Sequence, residues 1–406
     1  MKTASRSARF LWLVIVSATL ATALPPDGIT VLVNPPPEYR FNESLSFQIV
    51  AHGSVPITDV KLILYQPLPD ATARPLTYSA QFTPGADITA TITLDLSGGL
   101  LIPFTQATYW WELTDNSGVH LNTPPQTFDY VDNRFAWQRR DRSGISIFWY
   151  AGNTDFGDQA AAIADTAMAR LNPAIYGPLP PSLRLYIYAN EQEARPLLSF
   201  LGEFWAGNYA DADRDIVILV VPPNADAIYN LRRLIPHELT HLAVAAAAGH
   251  NVPEWLNEGL AELNQFQSDP DLLSALVAAR AAGRLLPLSR LCGTFPSDPD
   301  QARLAYAQSE SLVRFIRERY GSAGVAALLR AYAGGADCAA GVESGLGITL
   351  ASLEQQWLTT SLRLPPSETS ASVNFWRKMV IGAGILGLMV GSYLLWRRRH
   401  RRQSAA

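Results

Sequence analysis

His237-Glu-Leu-Thr-His241, followed closely by Asn251-Val-Pro-Glu-Trp-Leu-Asn-Glu-Gly-Leu-Ala-Glu262, is the stretch from which the rest of the chain can be read. On an α-helix, residues four apart lie one turn along and about 40° from eclipsed, so both imidazoles project from one face. That spacing suits two ring nitrogens binding one Zn²⁺ at about 2.0–2.1 Å. Glu238 lies about 100° around from His237 and can reach a water beside the ion without occupying a ligand position. It could take that water's proton and deliver it to a leaving amine. Leu239, Leu242 and Val244 supply packing positions, and the alanines at 243 and 245–248 permit close helix contact. Pro236 either occupies the first turn of this helix or kinks one begun near Ala227.

Zinc catalysis wants three protein ligands and an open position. A histidine six residues after His241 is absent, because position 247 is alanine, and His250 beside Gly249 reads as a loop histidine. The second helix follows at once. Asn251 can cap it, Pro253 favours its first turn and Glu254 completes a capping-box-like pattern. Glu254, Glu258 and Glu262 then recur every four residues along one face. Alone they could be an acidic solvated stripe; beside the histidine pair they are the source of a third ligand.

Together with the histidine pair, Trp255-Leu-Asn-Glu-Gly-Leu-Ala-Glu262 resembles the second motif of gluzincin zinc metallopeptidases. It is most similar to bacterial peptidase-MA-like proteins and more distantly to M1 aminopeptidases. The resemblance spans about residues 130–360 and implies a zincin-like fold in which Glu258 is the third metal ligand. It implies that Glu262 stands behind the ligands and orients a histidine. In the family a tyrosine of the following helical block assists the oxyanion, which nominates Tyr306 in Leu304-Ala-Tyr-Ala-Gln-Ser309. Tyrosine in an amphipathic helix also serves as a packing residue, and that reading stays open. The interval from His241 to Glu258 is shorter than in M1 enzymes and no GxMEN motif is present, so aminopeptidase activity is not implied.

Around this core the pattern is α+β. Ile145–Tyr150, Leu183–Tyr188 and Asp215–Val221 read as strands, and Asp158–Leu171 as a helix. A helical block follows over about 227–249, 253–267, 270–282, 299–320 and 322–334. Residues 128–362 are thus expected to form the metallopeptidase domain, a mixed sheet followed by helices. Asp215–Val221 could be the edge strand against which an extended peptide pairs, with Trp205-Ala-Gly-Asn208 as the cleft's upper lip. Residues 27–127 look all-β, with Leu45–Val50, Val60–Tyr65 and Ile88–Leu94 among short strands separated by turn residues. Their spacing suggests an immunoglobulin- or fibronectin-like sandwich. Cys292 and Cys338, the only cysteines, read as one disulfide or as two separate buried thiols.

The ends suggest export and anchoring. Lys2, Arg6 and Arg9 precede an apolar run, and Ala21-Thr22-Ala23 offers a cleavage site, so residues 1–23 read as a signal peptide or an uncleaved anchor. Residues 363–378 form a polar tether, 379–396 an uncharged apolar helix of about 27 Å, and 397–406 a basic tail. The heavier cluster Arg397, Arg398, Arg399, Arg401 and Arg402 orients that tail to the cytoplasm. A single-pass type I protein of the plasma membrane is expected, with its catalytic domain outside the cell and the bilayer as a partner. A net charge of −4 gives no sign of a polyanionic partner, and no nucleic-acid partner is expected. The leading expectation is a zinc-dependent hydrolase of peptide or protein substrates. The rival is a catalytically inactive, zinc-stabilised adhesion or sensor protein.

Overall fold

The computed structural model describes residues 28–67, 74–171, 173–177, 179–200 and 208–362. The expected signal peptide, tether, membrane helix and basic tail lie outside these residues, as do positions 205–207 of the expected cleft lip. No helix among the described residues is long and apolar enough to cross a membrane. The chain divides into two compact units, Met1–Ala136 and Trp137–Ala406.

The strands of the first unit are β1 (Ile29–Val33), β2 (Glu38–Arg40), β3 (Ser44–Tyr65), β4 (Leu76–Ser79), β5 (Gly85–Asp95), β6 (Thr105–Asp115), β7 (His120–Asn122) and β8 (Gln126–Tyr130). All their pairings are antiparallel. Alternation decides which face is inside: Ile88, Ala90, Ile92 and Leu94 of β5 are buried, while the residues between them face out. The two strands expected at Leu45–Val50 and Val60–Tyr65 are one, β3. Its first part pairs with β5 and its second with β6, so the eight strands form one hydrogen-bonded system instead of two separate sheets. The intervening Gly53–Pro56 does not turn; it forms a bulge where the β5 register shifts between His52 and Ile57. Only glycine fits there, since a Cβ at Gly53 would stand 2.6 Å from the Val55 carbonyl oxygen. β8 runs across the expected domain border at 127, and the unit ends at Ala136.

The second unit is built on a five-stranded sheet of β9 (Gln138–Arg142), β10 (Ile145–Trp149), β11 (Leu183–Tyr188), β12 (Tyr209–Asp211) and β13 (Ile216–Val220), in the order β12-β13-β11-β10-β9. The three central strands are parallel and the two outer ones antiparallel. β13 is therefore internal, which corrects the expectation that Asp215–Val221 forms the edge; β12 does. The physical reason is legible in β13, Ile-Val-Ile-Leu-Val, an unbroken apolar run of the kind found in strands with neighbours on either side.

The helices are α1 (Thr154–Arg170), α2 (Pro173–Tyr176), α3 (Glu191–Phe200), α4 (Ala227–Ala248), α5 (Glu254–Asn264), α6 (Pro270–Ala281), α7 (Pro299–Ala333), α8 (Cys338–Leu346) and α9 (Leu350–Thr360). α1 starts earlier than its alanines suggest, because the Asn153 side chain accepts from the Phe156 N–H. α7 breaks at Gly321, where φ is 66°, giving the two limbs expected at 299–320 and 322–334. Cys292 and Cys338 are joined, with Cα atoms 5.9 Å apart. One apolar cluster joins a sheet face to α1, α4, α5 and α7, with Trp149, Trp255 and Trp357 at most 2% exposed. α1 approaches β10 closely enough that a Cβ at Gly157 would lie 2.3 Å from the Trp149 ring.

Candidate metal centre

α4 passes through this core, burying Leu231, Ile235, Leu239 and Leu242 on the side away from its histidines. Pro236 lies inside a helix begun at Ala227, so the first-turn reading fails. An interior proline costs about 3 kcal/mol, because its ring crowds the carbonyl four residues back and supplies no N–H to it. Here that carbonyl, on Arg232, accepts instead from the Phe266 N–H just beyond α5, at 3.0 Å. Thr240 Oγ1 donates to the Pro236 carbonyl at 2.7 Å, and Asn264 Nδ2 donates to Thr240 Oγ1 at 3.2 Å. α4 and the end of α5 are thus tied together around the histidine turn.

His237 Nε2 lies 3.5 Å from one Glu258 oxygen, and His241 Nε2 lies 3.6 Å from the other. Both separations are long for a hydrogen bond but close to the edge, about 3.4 Å, of a tetrahedron with 2.1 Å metal–ligand bonds. The three ligand atoms all lie within 4.8 Å of one another, the one such group found among the described residues. Glu258 is only 8% exposed, and its Oε2 is buried without a hydrogen-bond partner. A buried carboxylate oxygen with no donor, facing two imidazole nitrogens, fits a cation. The residues present therefore suit Zn²⁺, with two nitrogens, one carboxylate and an open side.

Behind each imidazole stands an oxygen. His241 Nδ1 is 3.0 Å from Asn257 Oδ1, and His237 Nδ1 is 3.3 Å from Glu262 Oε1. Gln265 Nε2 lies 3.2 Å from His237 Nδ1 and donates to Glu262 Oε2 at 2.8 Å. The two oxygens, as acceptors, favour a proton on each Nδ1 and turn both Nε2 atoms toward Glu258. Glu262, expected behind the ligands, stands beside His237 Nδ1. Asn257 and Gln265 escaped the sequence reading, although each sits on or next to the quoted helix. The helix itself begins without the expected capping box: Pro253 is the N-cap, and no side chain caps it.

The electrostatics follow from burial and charge. Burial pulls the His237 pKa down, but the negative charges of Glu258, Glu238 and Glu262 beside it outweigh that and raise it to about 9. Burial holds the Glu238 carboxyl above its ordinary range, against the attraction of His237 and His241. Glu258 is also buried, yet His241 and His237 bring its pKa below the ordinary value. Burial, reinforced by the negative charges of Glu258 and Glu254, pushes the Tyr306 phenol up.

Glu258 reaches the histidines because α5 packs tightly on α7. A Cβ at Gly259 would stand 2.5 Å from the Ser309 carbonyl oxygen, so only glycine permits this approach. Tyr306, one turn earlier on α7, then lines the same cleft as His237, Glu238, His241, Glu254 and Glu258, with a volume of about 820 Å³. Its ring meets Phe295 edge-on, with centroids 5.2 Å apart. Tyr209 and Ala210 of the true edge strand line this cleft, as does Asn208 of the expected lip. His250 is a rim residue, 74% exposed in its side chain and 3.5 Å from Asp213, and takes no part in the ligand group.

Residues 163–362 match the model of the peptidase MA superfamily. The matched span runs from within α1 to the end of the described residues and holds all six site residues expected from the sequence. No curated protein matches the chain. Among solved structures, the M1 zinc metallopeptidase of Deinococcus radiodurans is 14% identical, covering 84% of this chain and 96% of its own, with a TM-score of 0.36. OgpA of Akkermansia muciniphila is 10% identical, covering 26% of this chain and 28% of its own, with a TM-score of 0.21. The chain thus spans less than a third of OgpA's length. At such TM-scores neither likeness bears on its activity.

Proposed function

We propose that this protein is a zinc-dependent peptidase of the gluzincin type. The observation that carries the reading is the buried Glu258 oxygen, without a donor, facing the Nε2 atoms of His237 and His241. His237, His241 and Glu258 hold the metal, with Asn257 and Glu262 keeping the two rings in register. A Zn²⁺ ion in this setting supplies Lewis acidity to a substrate carbonyl and to water. Glu238, buried on the same helical turn, accepts a proton from the attacking water and passes it to the departing amine; its raised pKa suits both roles. Tyr306 remains protonated far above neutral pH, so its hydroxyl can donate a hydrogen bond to the charge developing on the carbonyl oxygen. An extended substrate backbone pairs with β12 at the cleft's border.

The same proposal holds the enzyme at the plasma membrane as a type I protein, acting on extracellular peptides or proteins. Support for that part comes from residues 1–23 and 379–402 alone. Glu238→Gln tests the chemistry: zinc stays bound at one per chain while kcat on a peptide library falls about 10²- to 10⁴-fold. Unchanged kcat removes Glu238 from the mechanism, and stoichiometric zinc without cleavage by the wild type favours the adhesion or sensor reading.

A further inference from the structure

Pro236 stands one residue before the first proposed ligand, in the interior of a buried helix where a proline is costly. What accompanies that cost is visible at the far end of α5. The Arg232 carbonyl, denied a partner at position 236, receives the Phe266 N–H at 3.0 Å. Around this backbone bond, Arg233 Nε points to Gln265 Oε1 at 3.4 Å and the Arg170 guanidinium lies 4.3 Å from the centre of the Phe266 ring. Asn264 is held to Thr240 at 3.2 Å. Glu262 lies two residues before the first of these ties and Gln265 among them, and these two side chains meet His237 Nδ1.

We propose that Pro236 is a positioning residue for the metal centre, because the N–H it lacks leaves the Arg232 carbonyl free to dock the Phe266 N–H. That docking holds Glu262 against His237 Nδ1. An acceptor at Nδ1 keeps the proton there and leaves the Nε2 lone pair for the ion. With an ordinary residue at 236, the helix closes its own ladder and segment 262–266 loses its backbone anchor. The Nδ1 acceptor is then no longer fixed in place. The inference rests on the proposed zinc site, although its docking half is measurable without metal.

Pro236→Ala in the full chain tests it, since alanine restores the helix N–H and favours the helix. Three results are expected. Amide exchange at Phe266 quickens at least tenfold in the metal-free protein. The His237 ring nitrogens, read by NMR above pH 9 where the ring is neutral, shift from one tautomer to a mixture. Zinc affinity, measured by competition with a chromophoric chelator, weakens about 10- to 100-fold. The melting temperature without metal holds or rises. Unchanged exchange at Phe266 overturns the proposal, as does faster exchange with an unaltered tautomer and zinc affinity. A steep loss of metal-free stability with an unaltered tautomer also overturns it, since Pro236 would then serve stability alone. Wild-type protein that binds no zinc defeats the functional reading instead, and the exchange and tautomer results then decide this one.

Discussion

Asp132 in the first unit and Glu258 in the second are both buried carboxylates, held in opposite ways. Asp132 is fully buried and accepts from Arg134 through Nε at 2.9 Å, Nη2 at 2.6 Å and the backbone N–H at 3.2 Å. Its charge is answered by a cation two residues away, on its own loop. Glu258 is answered by two imidazoles from another helix, at distances too long for good hydrogen bonds, and one of its oxygens has no donor. The first arrangement is complete in itself and organises a loop. The second is incomplete, and burial without satisfaction is what a cation site requires of its ligands.

The largest effect that could break this contrast is a matched pair of truncations. Glu258→Ala removes stoichiometric zinc and with it peptide cleavage, read by elemental analysis and a fluorogenic peptide assay. Asp132→Ala leaves both intact while costing the first unit about 3 kcal/mol in denaturant unfolding, because it removes the carboxylate from a partly buried guanidinium. Zinc retained in the first variant, or activity lost in the second, ends the contrast.

A smaller effect concerns how Glu258 is delivered. Gly259→Ala sets a methyl against the Ser309 carbonyl, so α5 and α7 must part. The expected cost is about 2 kcal/mol in unfolding of the second unit, with zinc affinity falling alongside. Full stability in this variant would mean that the helices have slack to spare.

The smallest effect is a pH dependence of the metal-free protein. His237 has a folded pKa of about 9 against an ordinary 6.5, so its stabilisation is complete below 6.5 and disappears as pH rises through about 9. Glu258 has a lowered pKa, so its stabilisation is present above the ordinary 4.5 and disappears as pH falls through the folded value. Metal-free protein should therefore melt highest between pH 4.5 and 6.5. Zinc reverses the alkaline decline, because it requires unprotonated imidazoles. Melting curves with and without chelator read both limbs; a metal-free melting temperature that climbs steadily above pH 6.5 would show that this ion pairing does not stabilise the fold.

What the sequence disclosed depended on the range of the interaction. His237, Glu238 and His241 share a helical turn, so their geometry is fixed by 3.6-residue periodicity and needs no tertiary knowledge. Glu258 and Tyr306 required the family resemblance, because which helix faces which is decided by the close packing of Gly259 on Ser309. Asn257, Gln265 and the Arg232–Phe266 bond were invisible for the same reason: each depends on the register between two helices. The edge strand is a different case. The unbroken apolar run of β13 argued for an interior strand, whereas short, polar-ended Tyr-Ala-Asp carried almost no periodic signal. β3 hid its continuity behind Gly53 and Pro56, residues that ordinarily punctuate turns and here shape a bulge.

The sulfur bridge from Cys292 to Cys338 encloses the whole of α7, the helix that carries Tyr306. Polypeptide made in a glutathione-rich cytosol would lack that staple and rely on packing alone to hold the phenol over the cleft. Recombinant work on this protein therefore belongs in an oxidising host compartment, where the staple can form before the enzyme is assayed.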